Sequence, residues 1–276
     1  VLIVTLSTIP PRFDRIGPTL QSILRQDNAP DRVLLYIPKR YRRFPNWDGA
    51  LPSVPDGVEI RRPQEDLGPA TKILPAIRDF EGQEVELLFC DDDRAYPPDW
   101  TARFLAARRA HPDSVLCIAG RHAETMAVST GANRMQPRAV RRWRLTDWRF
   151  QLHYLSLQLK AGRKNIRAPH RKVYKRSGYV DIFEGFGGVM VQPQMLQDPT
   201  AFQIPAVLWA VDDVWLSGML AQAGVPIWLE ANIPDPPETS ADDEAPLHAA
   251  VIDGAGRNEA NAIAVQYMQE TYGVWL

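Results

Sequence analysis

The apolar run Leu87-Leu88-Phe89-Cys90 ends on three consecutive aspartates, Asp91-Asp92-Asp93, and no other stretch constrains the fold as much. Apolar residues without polar alternation suit a strand covered on both faces, as in a parallel sheet between helices. Three adjacent carboxylates repel one another unless a cation or hydrogen-bond donors compensate them. In a loop, an Asp triplet reads as an acidic surface turn. At the end of a buried strand it reads as a ligand site, because open α/β sheets bind ligands at the carboxyl ends of their strands.

The rest of the amino-terminal half fits such a sheet. Val1 to Thr5 is a continuous apolar run that ends at the turn Ser7-Thr8-Ile9-Pro10-Pro11-Arg12. Ile16, Leu20, Ile23 and Leu24 then fall on one helical stripe. Arg32 to Ile37 is a second buried strand, and Pro and Gly mark a surface loop over 45–57. Val58 to Ile60 leads to Asp66-Leu67-Gly68-Pro69-Ala70-Thr71-Lys72 and a helix over 70–80. Glu84 to Cys90 is the next strand, Pro97 and Pro98 open a helix, and Val115 to Ala119 is a strand again. Alternating strands and helices predict an α/β fold, a mostly parallel Rossmann-like sheet flanked by helices. Three segments, Thr5–Arg12, Asp66–Lys72 and Asp91–Asp93, are thereby expected at one sheet edge.

Past residue 120 the alternation weakens. Ile182 to Gln192 reads as a strand broken at Gly185-Phe186-Gly187-Gly188, Phe202 to Ala223 as one or two helices, and Pro226 to Glu230 as a short strand. The acidic, Pro-rich stretch 234–246 reads as a mobile loop, and Asn258 to Tyr272 as a closing helix. The expected organisation is one domain in two halves, 1–120 and 121–276.

Charge is unevenly spread. The whole chain of 276 residues is −1, yet 134–176 holds fourteen Lys or Arg and one acid, Asp147, so that segment is +13 and the remainder −14. This basic insertion suits a solvated face, a dimer-forming element, or a surface for an anionic partner such as a lipid phosphate at a membrane. No nucleic-acid module signature accompanies it, so nucleic acid is not expected. No window reaches the ~18 apolar residues of a membrane helix, and the opening apolar run is too short for a secretory leader. Cys90 and Cys117 both lie in apolar runs, which fits a reducing compartment. The expected location is cytoplasmic, with peripheral contact at the inner face of the membrane through 134–176.

With these motifs the chain resembles the A-type glycosyltransferase fold, in particular its inverting family 2 group. The resemblance covers residues 1 to about 120 well and 180–250 loosely, and makes 1–120 the nucleotide-sugar half and 121–276 the acceptor half. It implies that Asp91 contacts the nucleoside side and joins Asp93 in ligating Mn²⁺ or Mg²⁺, and that Asp92, in the variable middle position of the motif, also lies at the nucleotide. It further implies Thr5, Ser7 and Arg12 beside base and ribose, with Asp66 and Lys72 as a second nucleotide segment. For Asp66 the competing reading is a helix cap, and for Lys72 a solvated helix residue. Within the apolar stretch 204–220, the acids Asp212 and Asp213 match the family's acceptor-side pair. Asp213 is then the general base and Asp212 its support, although the family pair is Glu-Asp and a cap or structural ion pair competes. His248, after the acidic loop, matches a histidine that completes the metal shell in several such enzymes.

The implied activity is transfer of a sugar from a UDP- or GDP-type donor to a hydroxyl on a glycan or lipid-linked acceptor, with inversion. Two alternatives stand beside it. A nucleotidyltransferase would carry a glycine-rich phosphate loop after the first strand, where this chain has no glycine. A non-catalytic sugar-nucleotide or glycan-binding module would bind without turnover.

Overall fold

The computed structural model describes residues 1–127, 134–145, 147–162, 166, 171–243 and 257–276. Twelve strands occur among them: β1 (Leu2–Ser7), β2 (Arg32–Tyr36), β3 (Val58–Arg61), β4 (Glu86–Cys90), β5 (Val115–Cys117), β6 (Gly120–Arg121), β7 (Val140–Arg141), β8 (Tyr174–Arg176), β9 (Gly178–Val180), β10 (Ile182–Phe183), β11 (Val189–Val191) and β12 (Ile227–Leu229). Eight of them form the central sheet, in the order β3-β2-β1-β4-β11-β5-β12-β9. β1 runs parallel to β2 and β4, β2 to β3, and β12 to β5, while β11 and the edge strand β9 run antiparallel. The sheet is therefore mostly parallel and draws strands from both halves of the chain.

Strand alternation divides the core cleanly. Ile3, Leu34, Tyr36, Leu87 and Phe89 point into one hydrophobic cluster, and Leu2, Val4, Leu6, Val33, Leu35, Leu88 and Cys90 into the other. Successive side chains in a strand face opposite sides, so an unbroken apolar run needs cover on both. α1 (Gly17–Leu24) and α3 (Trp100–Ala110) supply it on one side, through Ile16, Leu20, Ile23, Trp100 and Phe104. On the other side α2 (Leu74–Asp79), α5 (Asp212–Gln222) and α6 (Arg257–Tyr272) contribute residues such as Leu74, Ile77, Trp215 and Val265. α4 (Trp148–Lys160) lies in the basic segment, capped by Asp147, whose side chain accepts from Phe150 N. No described helix is long and apolar enough to cross a membrane.

Three elements depart from the expected boundaries. The 70–80 helix is a 3₁₀ turn, Gly68–Lys72, followed by α2. The 182–192 strand is two strands in different sheets, β10 and β11, separated by the Gly185–Gly187 turn. Gly188 makes that turn possible: its φ is +101°, and a Cβ there would sit 2.5 Å from the buried Trp100 ring. The helix in 202–223 begins only at Asp212, which places both acids in its first turn, where the helix dipole favours negative charge.

Candidate active site

Because β11 is antiparallel to β4 and Val189 pairs with Phe89, the Gly185–Gly188 turn lies at the same sheet edge as the end of β4. The Tyr96 hydroxyl fastens the two. It accepts from Asp91 N at 3.1 Å and lies 3.0 and 3.1 Å from the carbonyls of Asp91 and Phe186. The turn after β1, the Gly68–Lys72 turn, the three aspartates, the glycine turn and the start of α5 together enclose one cavity of about 370 Å³. Ser7, Arg12, Asp66, Lys72, Asp91, Asp92, Asp93, Asp212 and Asp213 all line it.

Lys72 links the two acid sets. It is a buried side chain with Nζ 2.9 Å from Asp91 Oδ1 and 3.1 Å from Asp212 Oδ2. Burial alone would lower its pKa, but Asp212, Asp91 and Asp213 outweigh burial and hold it well above the ordinary lysine value. It is thus neither a solvated helix residue nor a cation exposed to a ligand. The space around it is full, since a Cβ on Gly185 would lie 2.7 Å from Nζ and 3.2 Å from Asp213 Oδ1. Gly185 N also donates to Asp213 Oδ1 at 3.2 Å, which fixes that carboxylate against the turn.

The three aspartates have different surroundings. Asp92 is buried, accepts from Thr8 Oγ1, and pairs with Arg12 Nη1 at 2.5 Å. Arg12 Nη1 also lies 3.2 Å from Asp93 Oδ2. Asp92 and Arg12, both expected at the nucleotide, are thereby committed to each other inside the wall. Asp91 remains about one-third exposed. Asp93 is nearly enclosed. Its Oδ1 accepts no hydrogen bond, with Arg94 Nε 3.4 Å away. Burial, then the charges of Asp91 and Asp92, push its pKa up to about 7.

These residues fit a divalent cation. Seven carboxylates line the cavity against five Lys and Arg side chains, so a diphosphate entering it meets surplus negative charge. Among the described residues no group of three or more His, Cys, Asp and Glu is placed to hold a metal ion by itself. That is compatible with Mg²⁺-like chemistry, in which one or two carboxylates bind and waters and substrate phosphates supply the remaining ligands. Asp93, with its under-bonded oxygen, and the part-exposed Asp91 are the carboxylates that would serve as donors to such an ion. His248 lies outside the described residues.

One further expected position is corrected. Thr5 is wholly enclosed within β1 and does not line the cavity. The reason is its register, since a strand interior between β2 and β4 has no access to the edge. Asp66 lines the cavity, but its two oxygens accept from Gly68 N at 2.9 Å and Arg42 N at 2.7 Å, which shapes the turn. The acidic stretch read as a mobile loop is tied down where it is described. Ala95 N donates to Pro237 O at 2.9 Å and Thr239 N to Asp93 O at 2.8 Å.

Several lining residues escaped sequence reading: Tyr41, Phe44, Arg94, Arg121, Glu184 and Trp209. Arg94 directly follows the aspartates and stacks 5.1 Å over Phe186. Its position next to three acids was a readable signal of charge compensation. Trp209 packs on Gly68, whose φ of +60° and lack of a Cβ admit the indole. Nothing in the sequence pattern marks that contact.

No family model matches this chain, and no curated protein matches it. Similar solved structures include a fragment of S. aureus TarS, residues 1–349, at 13% identity and a TM-score of 0.42 over 84% of this chain. The same fragment in complex with UDP-GlcNAc gives 13% and 0.43 over 84%. Francisella tularensis 2-C-methyl-D-erythritol 4-phosphate cytidylyltransferase gives 12% and 0.40 over 82% of this chain and 87% of its own. The match spans 58% of the TarS fragment, or 56% in the UDP-GlcNAc complex.

Proposed function

We propose that the chain is a metal-dependent glycosyltransferase that moves a sugar from a nucleoside diphosphate donor to a hydroxyl acceptor with inversion. The observation that carries this reading is the buried Lys72 bridge. It sets the Asp91 carboxylate at the end of β4 and the Asp212–Asp213 pair at the start of α5 around a single cavity. One side thus holds acids suited to a cation and diphosphate, and the other holds an acid suited to a proton.

In this reading Asp91 and Asp93 hold Mn²⁺ or Mg²⁺, which when bound neutralises the leaving diphosphate. Ser7, Asp66 and Trp209 lie along the nucleoside side. Asp213, held by Gly185 N, accepts the proton of the attacking hydroxyl, while Lys72, 3.1 Å from Asp212 Oδ2, holds that side chain in place. The acceptor attacks from the face opposite the diphosphate, which inverts the anomeric centre. General-base assistance is worth about 10²–10⁴-fold.

The test is turnover of a panel of UDP- and GDP-sugars with Mn²⁺ or Mg²⁺, followed as release of nucleoside diphosphate. Asp213→Asn should lower turnover by about 10²–10⁴-fold while donor binding is retained. An active Asp213→Asn variant would remove that residue from the mechanism. Formation of pyrophosphate from a nucleoside triphosphate and a sugar phosphate would make the chain a nucleotidyltransferase instead. Binding without turnover on any donor would make it a binding module.

A further inference from the structure

The basic segment holds more than charge. On α4, Trp148, Leu152, Leu155 and Leu159 are all exposed, and the preceding loop adds exposed Trp143 and Leu145; exposure runs from 51% at Leu155 to 83% at Leu145. Spacings of four, three and four residues put the four helical side chains on one face. The helix is not inverted, because its opposite face also carries apolar groups: Phe150 is buried and stacks on Tyr154 at 5.9 Å. The helix therefore has an inner apolar side that packs and an outer apolar side that does not.

The rim of that outer face is cationic. Arg141, Arg142, Arg144, Arg149 and Lys160 are exposed around it, and the Arg149 guanidinium lies 5.4 Å over the Trp148 ring. The segment's sole acid, Asp147, is buried, caps α4, and lies 3.6 Å from Arg142 and 3.5 Å from Arg171. Within 134–176 the exposed side chains consequently carry cations and no carboxylate.

We propose that this face docks on an anionic lipid bilayer, with Trp143, Trp148 and the leucines in the acyl boundary and the Arg and Lys heads at the phosphates. Charge complementarity selects this occupant. A second copy meeting face to face would set the cations Arg141, Arg142, Arg144, Arg149 and Lys160 against the same five cations. A neutral apolar partner would leave the cationic rim uncompensated. An anionic bilayer supplies hydrocarbon for the stripe and phosphates for the rim, the arrangement that holds amphipathic helices at interfaces. The face also adjoins the candidate site. A second cavity, of about 170 Å³, shares Arg121, Glu184 and Phe186 with the first and is walled by Arg141 and Arg171. The docking itself is independent of the reaction proposed above.

Co-sedimentation with phosphatidylcholine vesicles, with and without phosphatidylglycerol, at low and high salt, tests it on the full chain. Two triple variants separate the contributions: Leu152→Gln, Leu155→Gln, Leu159→Gln for the stripe, and Arg144→Gln, Arg149→Gln, Lys160→Gln for the rim. All six positions are exposed, and circular dichroism checks that each variant folds. The wild type should pellet with anionic vesicles only and be released by salt. The rim variant should partition about 100-fold less, since each lost cation costs about five-fold. The stripe variant should lose about ten-fold or more. Failure to pellet with anionic vesicles at low salt overturns the proposal. So does a stripe variant that pellets like the wild type, or a lipid-free dimer in sedimentation velocity that the stripe variant abolishes.

Discussion

Replacing Lys72 by Met removes the one charge that joins the two acid sets while keeping most of the apolar stem. The Lys72 and Asp212 side chains are 6% and 8% exposed, and Asp91 is 32%. Asp91 can rehydrate when the ammonium goes, so its share of the loss is small. Asp212 cannot. Breaking a buried pair by removing one partner costs about 3–5 kcal/mol, because the remaining charge has no compensation. At about 2–4 °C per kcal/mol for a protein of this size, the melting temperature should fall by about 6–20 °C. Scanning calorimetry, supported by urea titration, reads this directly. The double variant Lys72→Met, Asp212→Asn should recover half or more of the loss, since an amide at 212 carries no charge to strand. A Lys72→Met protein within about 1 kcal/mol of wild type, or a double variant no better than the single, would refute the argument. In either case Lys72 would not be neutralising a buried carboxylate, and the two acid sets would not be coupled through it.

Two other predictions concern the walls of the site and a pH dependence. Gly185→Ala places a methyl 2.7 Å from Lys72 Nζ and 3.2 Å from Asp213 Oδ1; turnover should fall by about ten-fold or more, with the melting temperature changed far less. Equal losses in both would make Gly185 a folding residue only. His122 donates from Nε2 to Ala139 O at 3.0 Å and presents Nδ1 to Arg138 Nη2 at 2.5 Å. Burial first, then the Arg138 charge, lowers its pKa below 6.5. The unfolded chain then takes up a proton at higher pH than the fold does, so this contribution to stability is present above about pH 6.5 and is lost as pH falls below it. Wild type should therefore lose more melting temperature between about pH 7 and 5.5 than His122→Gln does; identical slopes would contradict the assignment.

Most of the parallel sheet was legible because its strands are short, unbroken apolar runs. Leu2 to Leu6 and Leu87 to Cys90 feed alternate residues into two cores, and only a doubly covered strand needs that pattern. The stretch 204–220 was harder. Its apolar residues surround the whole helix, so periodicity did not locate the start of α5 at Asp212. The site's acids were readable from type and position. Their partners were not: Lys72 and Asp212 lie 140 residues apart, and nothing local to either announces the pair. Arg12 was expected at the ligand through the family resemblance; its burial against Asp92 is a tertiary fact. The pairing of Pro237 and Thr239 with the backbone of Asp93 and Ala95 was hidden for a different reason. Acidic, Pro-rich composition describes side-chain solvation and says little about backbone hydrogen bonds.

The central claim is that a divalent cation and a diphosphate share this cavity, with Asp93 and Asp91 as the protein's ligands. Anomalous diffraction at the manganese edge, from crystals soaked with Mn²⁺ and UDP or GDP, tests it most directly. A manganese peak is expected against the Asp93 carboxylate with diphosphate oxygens beside it, and no such peak in crystals of Asp93→Asn. A diphosphate bound with no ion near Asp91 or Asp93, or a manganese peak only elsewhere in the molecule, would contradict it.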